Sequence, residues 1–156
     1  MENFIWKIKT FEELSSTELH AILKARIDVF VVEQNCPYPE VDGSDPKALH
    51  LWAEQNGDVA AYCRIFQPEI KYEESSIGRV LTTEKYRRLN LGKNLMKLAI
   101  EVIESRFQTD SIKISAQDYL LAFYNQFGFV ATGNSYLEDE IPHSEMLRSR
   151  NNLIIE

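Results

Sequence analysis

Cysteine is scarce in this sequence: its 156 residues include two, Cys36 and Cys63. Two cysteines are too few for a disulfide framework, and they do not form the short-spaced pairs typical of zinc ligands. Cys63 lies in the apolar run 60–65, which predicts a reduced thiol in the core. The three histidines have no metal-ligand spacing either. The sequence therefore predicts no metal site.

Long hydrophobic runs and excess positive charge are also missing. No apolar run approaches the roughly 20 residues of a membrane-spanning helix, and the N-terminus lacks the pattern of a signal peptide. The chain has 17 Lys and Arg against 24 Asp and Glu, a net charge of −7. Such a chain is not suited to coat nucleic acid or an anionic membrane. We therefore expect a cytoplasmic protein with neither as a partner.

The amino-acid composition favours one folded domain. The chain is 44% hydrophobic and 11% aromatic, which is enough to bury a core. No repeat or long linker divides it. We expect a single domain over residues 1–156.

The first half of the chain predicts a strand, a helix and a hairpin. Apolar alternation over 4–8 indicates a half-buried strand, and helical spacing indicates a helix over 17–32. The three prolines in 36–46 predict a loop. Two strand-like runs follow, joined by Asn56-Gly57, a strong hairpin signal because both residues tolerate positive φ.

The second half alternates strands with helices. The predicted elements are a strand over 76–83, a helix from Asn90, a strand around 112–114, a short helix over 119–127 and two last strands near 129–136 and 143–148. Together with the first half, this order predicts a mixed α+β fold. Its first half is mostly antiparallel, and a parallel pair of strands flanks the long helix.

The segment 77–95 leads from a strand through a basic turn into a helix. Free N–H groups at a helix start bind anions, and Arg87, Arg88 and Lys93 add positive charge. Gly92 lets a phosphate approach the backbone closely. A diphosphate is therefore the natural ligand, although an ordinary strand-to-helix turn with solvated arginines would look the same. The segment is neither a P-loop nor a dinucleotide fingerprint.

A second informative segment, 115–129, contains the run Phe123-Tyr124-Asn125-Gln126-Phe127-Gly128-Phe129. Together with the loop from Arg87 to Gly92, it resembles the GNAT N-acetyltransferase superfamily. The segments 29–38 and 136–143 and the pair His50-Leu51 resemble the ElaA-like branch of that superfamily. The loop departs from the family pattern at Asn90, where a glycine is usual. Asparagine tolerates the left-handed backbone better than most residues, so the loop is expected to survive.

The resemblance implies a central, mixed, twisted sheet of six or seven strands flanked by about four helices. It implies transfer of an acetyl group from acetyl-CoA directly to a primary amine, with coenzyme A as the other product. The residues that it assigns to the cofactor are Val80, Leu81, Thr82, Arg87, Arg88, Leu89, Asn90, Leu91, Gly92, Lys93, Asn94, Gln117, Ala122 and Phe123.

The resemblance also suggests catalytic roles. The N–H of Val80 or Leu81 would polarise the thioester carbonyl, and Tyr124 would protonate the departing thiolate. Three residues are candidates for the general base of the amine. They are Glu33, His50 and Glu84.

The remaining candidates concern the acceptor site. Gln34 and Tyr38 are expected to contact the acceptor. Arg26 lies on the apolar stripe of the first helix, where a guanidinium needs either a carboxylate partner or a ligand. The acceptor is expected to be a small molecule or a peptide amine, and the protein a monomer or a homodimer.

Two other functions fit the same residues. One is acyl-homoserine-lactone synthesis, since those enzymes share the fold and also carry an arginine followed by Val-Phe. The diphosphate loop argues against that function. The other is an acyl-CoA-binding regulatory or interaction module without transferase activity.

Overall fold

Seven strands in two antiparallel groups form the centre of the fold in the computed structural model of the chain, which describes residues 3–149. The first group pairs in the order β1-β2-β3-β4 and the second in the order β5-β7-β6. The strands are β1 (Ile5–Thr10), β2 (Leu49–Gln55), β3 (Asp58–Phe66), β4 (Ser76–Thr82), β5 (Ile112–Gln117), β6 (Phe129–Glu138) and β7 (Ile141–Arg148). The predicted hairpin is confirmed, with φ of 53° at Asn56 and 82° at Gly57.

The two groups of strands meet at one point. Ser75 and Ile112 form a parallel bridge, and the N–H of Lys113 donates to the carbonyl of Ser75 at 2.9 Å. β7 pairs with the other edge of β5 along its whole length, from Ile112 to Gln117. The parallel relation of β4 and β5 is as predicted, but these strands separate after the first residues and leave a split in the sheet.

Three α-helices lie within residues 3–149: α1 (Ser16–Arg26), α2 (Leu91–Arg106) and α3 (Leu121–Asn125). Ser15 and Glu18 form a capping box that starts α1. The predicted helix over 17–32 is helical throughout, but after Arg26 it continues as a π-helical segment, Ile27–Glu33. Such segments are rare, and they re-aim the side chains that follow. No helix in the described part of the chain is long and apolar enough to cross a membrane.

The core lies between α2 and the sheet. Leu95, Met96, Ala99 and Ile103 on α2 are fully buried, as the apolar stripe of this helix predicts. Cys63 of β3 is buried in the same cluster as a free thiol, and burial raises its pKa. The expectation of a reduced core cysteine is confirmed.

A closed ring of six alternating charges lies where α1, the 34–48 segment, β3 and β4 meet. We call it the charge ring. Three arginines and three carboxylates contribute, so the ring is neutral at pH 7. Its contacts, in order, are Arg26–Glu40 (2.7 Å), Glu40–Arg79 (2.8 Å), Arg79–Asp42 (3.4 Å), Asp42–Arg64 (2.7 Å), Arg64–Asp45 (2.9 Å) and Asp45–Arg26 (2.8 Å).

Removing one arginine from the charge ring should destabilise the fold strongly. Arg26→Met removes one of the two arginine partners of Glu40 and of Asp45 and leaves the buried ring with an uncompensated negative charge, and breaking a buried pair in this way costs about 3–5 kcal/mol. Urea unfolding should show this loss in the free energy of unfolding. Lys24→Met is the matched control, because Lys24 lies on the same helix in an exposed ion pair with Asp28, worth about 0.3–0.5 kcal/mol. Equal stability losses in the two variants would contradict the role of the ring.

Candidate active site

The split between β4 and β5 opens into a cavity of about 1170 Å³. One end is formed by the start of α2, and the other by the 34–42 segment and the β6–β7 turn. Most residues assigned to the cofactor line it. They are Val80, Leu81, Thr82, Arg87, Arg88, Asn90, Leu91, Gly92, Lys93, Gln117 and Phe123.

The edge of β4 that faces the cavity is open. Within residues 3–149, β4 pairs with β3 on one side and meets a strand on the other side only at the Ser75 bridge. The register with β3 shifts between Gly78 and Leu81, and Arg79 in this bulge has φ of +54°. A bulge re-aims backbone groups and increases local twist. The backbone beside Val80 and Leu81 is therefore available to a ligand in the cavity.

The start of α2 offers the anion site that the sequence predicts. Asn90 has a left-handed backbone, with φ of 64°, and its side chain does not cap the helix. The first-turn N–H groups of Leu91, Gly92 and Lys93 have no preceding turn to bond to. Gly92 faces the Phe123 ring, since a Cβ on this glycine would lie 3.6 Å from the ring carbon Cζ. Aligned N–H groups next to lysine and arginine suit a diphosphate.

Arg87 connects this loop to the end of the π-helical segment. Its Nη2 lies 2.6 Å from Oε1 of Glu33, and its Nε and Nη2 donate to the carbonyl of Thr82 at 3.1 and 2.9 Å. Both charged side chains are partly exposed in the cavity wall. Glu33 therefore lies in the cavity as expected, but in an ion pair with a residue of the proposed diphosphate loop.

Tyr124 lies in the cavity wall. Its ring is 7% exposed and packs edge-on against Phe123 and Phe129, at centroid distances of 5.1 and 6.1 Å. Within residues 3–149 its hydroxyl has no hydrogen-bond partner, so it is free to bond to a ligand. Burial raises the pKa of this phenol, which keeps it protonated at neutral pH.

The far end of the cavity contains the two other expected acceptor contacts. Gln34 and Gln117 approach each other through their side-chain amides at 3.4 Å, joining residues 83 positions apart. The Tyr38 hydroxyl donates to Glu40 of the charge ring. Both side chains line the cavity and are held by the framework around it.

Two expected site residues are placed elsewhere. Arg26 is fully buried in the charge ring, where Glu40 and Asp45 are its carboxylate partners. His50 is also fully buried: Nε2 donates to the Asp45 carbonyl at 3.0 Å, and Nδ1 accepts from the Tyr62 hydroxyl at 2.7 Å. Burial lowers the pKa of His50. Neither side chain lines the cavity, so we assign both to the framework of the site.

Four further residues named from the sequence also lie outside the cavity lining. Glu84 and Leu89 are exposed in the connection from β4 to α2. Asn94 lies one turn into α2 with an exposed side chain, and Ala122 lies in α3. The cavity therefore contains most, but not all, of the residues assigned to the cofactor. Of the three base candidates named from the sequence, Glu33 is the one that lines it.

His143 is a cavity residue that the sequence reasoning missed. It is 7% exposed, and its ring stacks on Tyr136 at 6.2 Å and 11°. Nδ1 donates to the carbonyl of Ile141 at 2.7 Å, which leaves the Nε2 lone pair free. Nε2 lies 3.5 Å from a carboxylate oxygen of Glu138. The missed signal was the place of His143 at the start of β7, opposite Gln117 in register.

These features are an α+β fold with a cavity that opens between two separating strands beside an uncapped helix start. A family model described as an acetyltransferase (GNAT) domain matches residues 18–149. The chain belongs to the GNAT acetyltransferase family, whose members use acyl-CoA as a cosubstrate. The expectation of this fold and family is confirmed.

Individual relatives agree with this assignment. Protein ElaA of Escherichia coli is 37% identical over 145 residues, covering 92% of this chain and 95% of ElaA. The crystal structure of ElaA superposes with a TM-score of 0.87 at 36% identity, covering 94% of this chain and 100% of the other. An acyl-CoA N-acyltransferase from Pseudomonas aeruginosa has a TM-score of 0.90 at 40% identity, with the same coverage.

A CoA-dependent acyl-homoserine lactone synthase shares the fold with a TM-score of 0.74. It is 18% identical, over 97% of this chain and 86% of that protein. At this identity the likeness concerns the fold alone.

Gly92→Glu should abolish binding of CoA. The substitution places a carboxylate between the first-turn N–H groups and a diphosphate, and like charges in contact cost several kcal/mol, or at least about 100-fold in Kd. Calorimetric titration with acetyl-CoA measures this. Gly92→Ala is the matched control, because its Cβ meets the Phe123 ring and Thr82 at ordinary contact distances of 3.6 and 3.8 Å. Unchanged affinity in the glutamate variant would refute the assignment of the loop.

Proposed function

We propose that this chain transfers an acetyl group from acetyl-CoA to a primary amine of a small molecule or peptide. One observation carries the proposal: the open β4 edge, the uncapped α2 start and the unbonded Tyr124 hydroxyl all face one cavity. Each suits a different part of a thioester cofactor. Family membership supports acyl transfer from CoA, and the acetyl group and the amine are the finer parts of the proposal.

The cofactor would lie along the split in the sheet. The diphosphate would bind at Arg87, Arg88 and the N–H groups of Leu91–Lys93. The pantetheine arm would replace β5 as the neighbour of β4, using backbone groups that no strand occupies beyond the Ser75 bridge in the described residues. The thioester then lies near Val80, Leu81 and Tyr124, which line the same wall.

The reaction needs no covalent enzyme intermediate. The amine nitrogen attacks the thioester carbonyl, and the C–S bond breaks as the C–N bond forms. The N–H of Val80 or Leu81 would stabilise the oxyanion. Tyr124 would give its phenol proton to the departing thiolate, yielding coenzyme A and the amide. Holding both substrates in one cavity supplies much of the acceleration.

We infer that His143 takes the proton from the attacking amine. Its Nδ1–H bond to Ile141 fixes the tautomer with a free Nε2, the form that a base requires. Glu138, 3.5 Å from Nε2, would stabilise the imidazolium that forms. Glu33 is the alternative base, and its carboxylate is in an ion pair with Arg87.

Tyr124→Phe should slow turnover more than it weakens binding. Loss of a general acid lowers kcat by about 100-fold or more, whereas the Kd for acetyl-CoA should stay close to that of the unmodified protein. Release of the CoA thiol and calorimetry measure the two quantities. Tyr72→Phe is the control, because it removes a hydroxyl outside the cavity. An unchanged kcat in the Tyr124→Phe variant would show that Tyr124 is not the general acid.

His143→Gln should lower kcat by about 100-fold or more, because the variant lacks the proposed general base. Release of the CoA thiol measures this. His20→Gln, on the exposed face of α1, is the control. Glu33→Gln provides the competing test. If kcat is kept without His143 and lost without Glu33, then Glu33 is the base.

A further inference from the structure

Lys71 contributes a cation to the acceptor end of the cavity. It lies in the connection between β3 and β4, and no carboxylate of residues 3–149 comes within 4.0 Å of its Nζ. The nearby acid Glu74 pairs with Lys113 instead. A lysine in a cavity wall without a partner is a point where an anion can bind.

A second cation shares the same aromatic ring with Lys71. Nζ of Lys71 lies 5.5 Å from the centre of the Phe66 ring, and Cζ of Arg64 lies 5.2 Å from it. Arg64 is 2% exposed, and its Nε is a buried donor without a partner. An unbonded buried N–H costs free energy unless a ligand or water meets it. Arg64 also lines the cavity.

In the described residues, no carboxylate bonds to the ammonium of Lys71 or to Nε of Arg64. Asp42 and Asp45 already accept from the terminal nitrogens of Arg64 within the charge ring. Burial lowers the pKa of Lys71, and the positive charge of Arg64 is the next cause. An anion bound between them would offset the repulsion and satisfy the free donors.

Acidic groups also line this cavity. They are Glu138, whose carboxylate lies 3.5 Å from Nε2 of His143, and Asp139. Because the formal charges of the charge ring cancel, the charges left at this end are the cation of Lys71 and these two carboxylates. This arrangement suits a ligand that carries both a positive and a negative group.

We propose that Lys71 and Arg64 bind an anionic group of the acceptor, so that the acceptor is an amine that also carries a carboxylate or phosphate, as an α-amino acid does. The proposal rests on the proposed function of the site and specifies its substrate class. In this arrangement the anionic group contacts the ammonium of Lys71 and the guanidinium of Arg64, and the amine faces His143 and Glu138.

Matched amines test this proposal. Each α-amino acid in a panel is compared with the amine that lacks its carboxylate, for example phenylalanine with 2-phenylethylamine, and phosphoethanolamine is compared with ethanolamine. The anionic member of a pair should have the higher kcat/KM by about tenfold or more, as expected for a charge-assisted hydrogen bond. Preference within the carboxylate or the phosphate pairs identifies which anion is used.

Variants of Lys71 provide the decisive comparison. Lys71→Met should remove the advantage of the anionic acceptors by raising their KM, while the uncharged amines keep their rates. Lys71→Arg should retain the advantage. Lys97→Met, on the exposed face of α2 outside the cavity, is the control.

The outcomes separate this proposal from the proposed function. If uncharged amines are acetylated as well as anionic ones, and Lys71→Met changes neither, the anion site is refuted and the acetyltransferase remains. If acetyl-CoA binds but no amine in the panel is acetylated, both the proposed transfer and this acceptor class fail. The chain would then act as an acyl-CoA-binding module.

Discussion

Buried charged side chains need partners of opposite charge, and in this protein the resulting ion pairs hold four elements together. The charge ring joins the end of α1 through Arg26, the 34–48 segment through its three carboxylates, and strands β3 and β4 through Arg64 and Arg79. Arg79 reaches the ring from a left-handed position in a strand, a conformation that a non-glycine residue holds only when its surroundings impose it. The same contacts that bury the charges therefore also shape the bulge of β4 and the wall of the cavity.

The cavity opens where β4 and β5 separate beyond the Ser75–Ile112 bridge. In the described residues, the two strands pair at this bridge and then separate, while β7 pairs with the other edge of β5 along its whole length. A strand edge without a partner is normally a liability that proteins cover. Here it lies between the start of α2 and the 34–42 segment, where an extended, amide-rich cofactor could complete it. In the proposed function, the helix start and the strand edge would form one binding surface.

Local signals in the sequence predicted much of this structure. The Asn56-Gly57 turn, the apolar stripe of α2 and the left-handed Asn90 depend on neighbouring residues, and the structure has each of them. Residues whose roles depend on distant partners were harder to predict. Arg26 and His50 have the right chemistry for a site but are buried in a network closed by the 34–48 segment. His143 and Lys71 become site residues only when β7 and the β3–β4 connection fold against the cavity.

The contact between Arg87 and Glu33 connects the two ends of the cavity. A diphosphate bound at the loop would compete with Glu33 for the guanidinium, and a freed carboxylate would add negative charge to the acceptor wall. Linkage of this kind is reciprocal: whatever the cofactor does to the affinity for the acceptor, the acceptor does to the affinity for the cofactor. For a cationic amine this coupling would be favourable, so that each substrate would bind more tightly in the presence of the other.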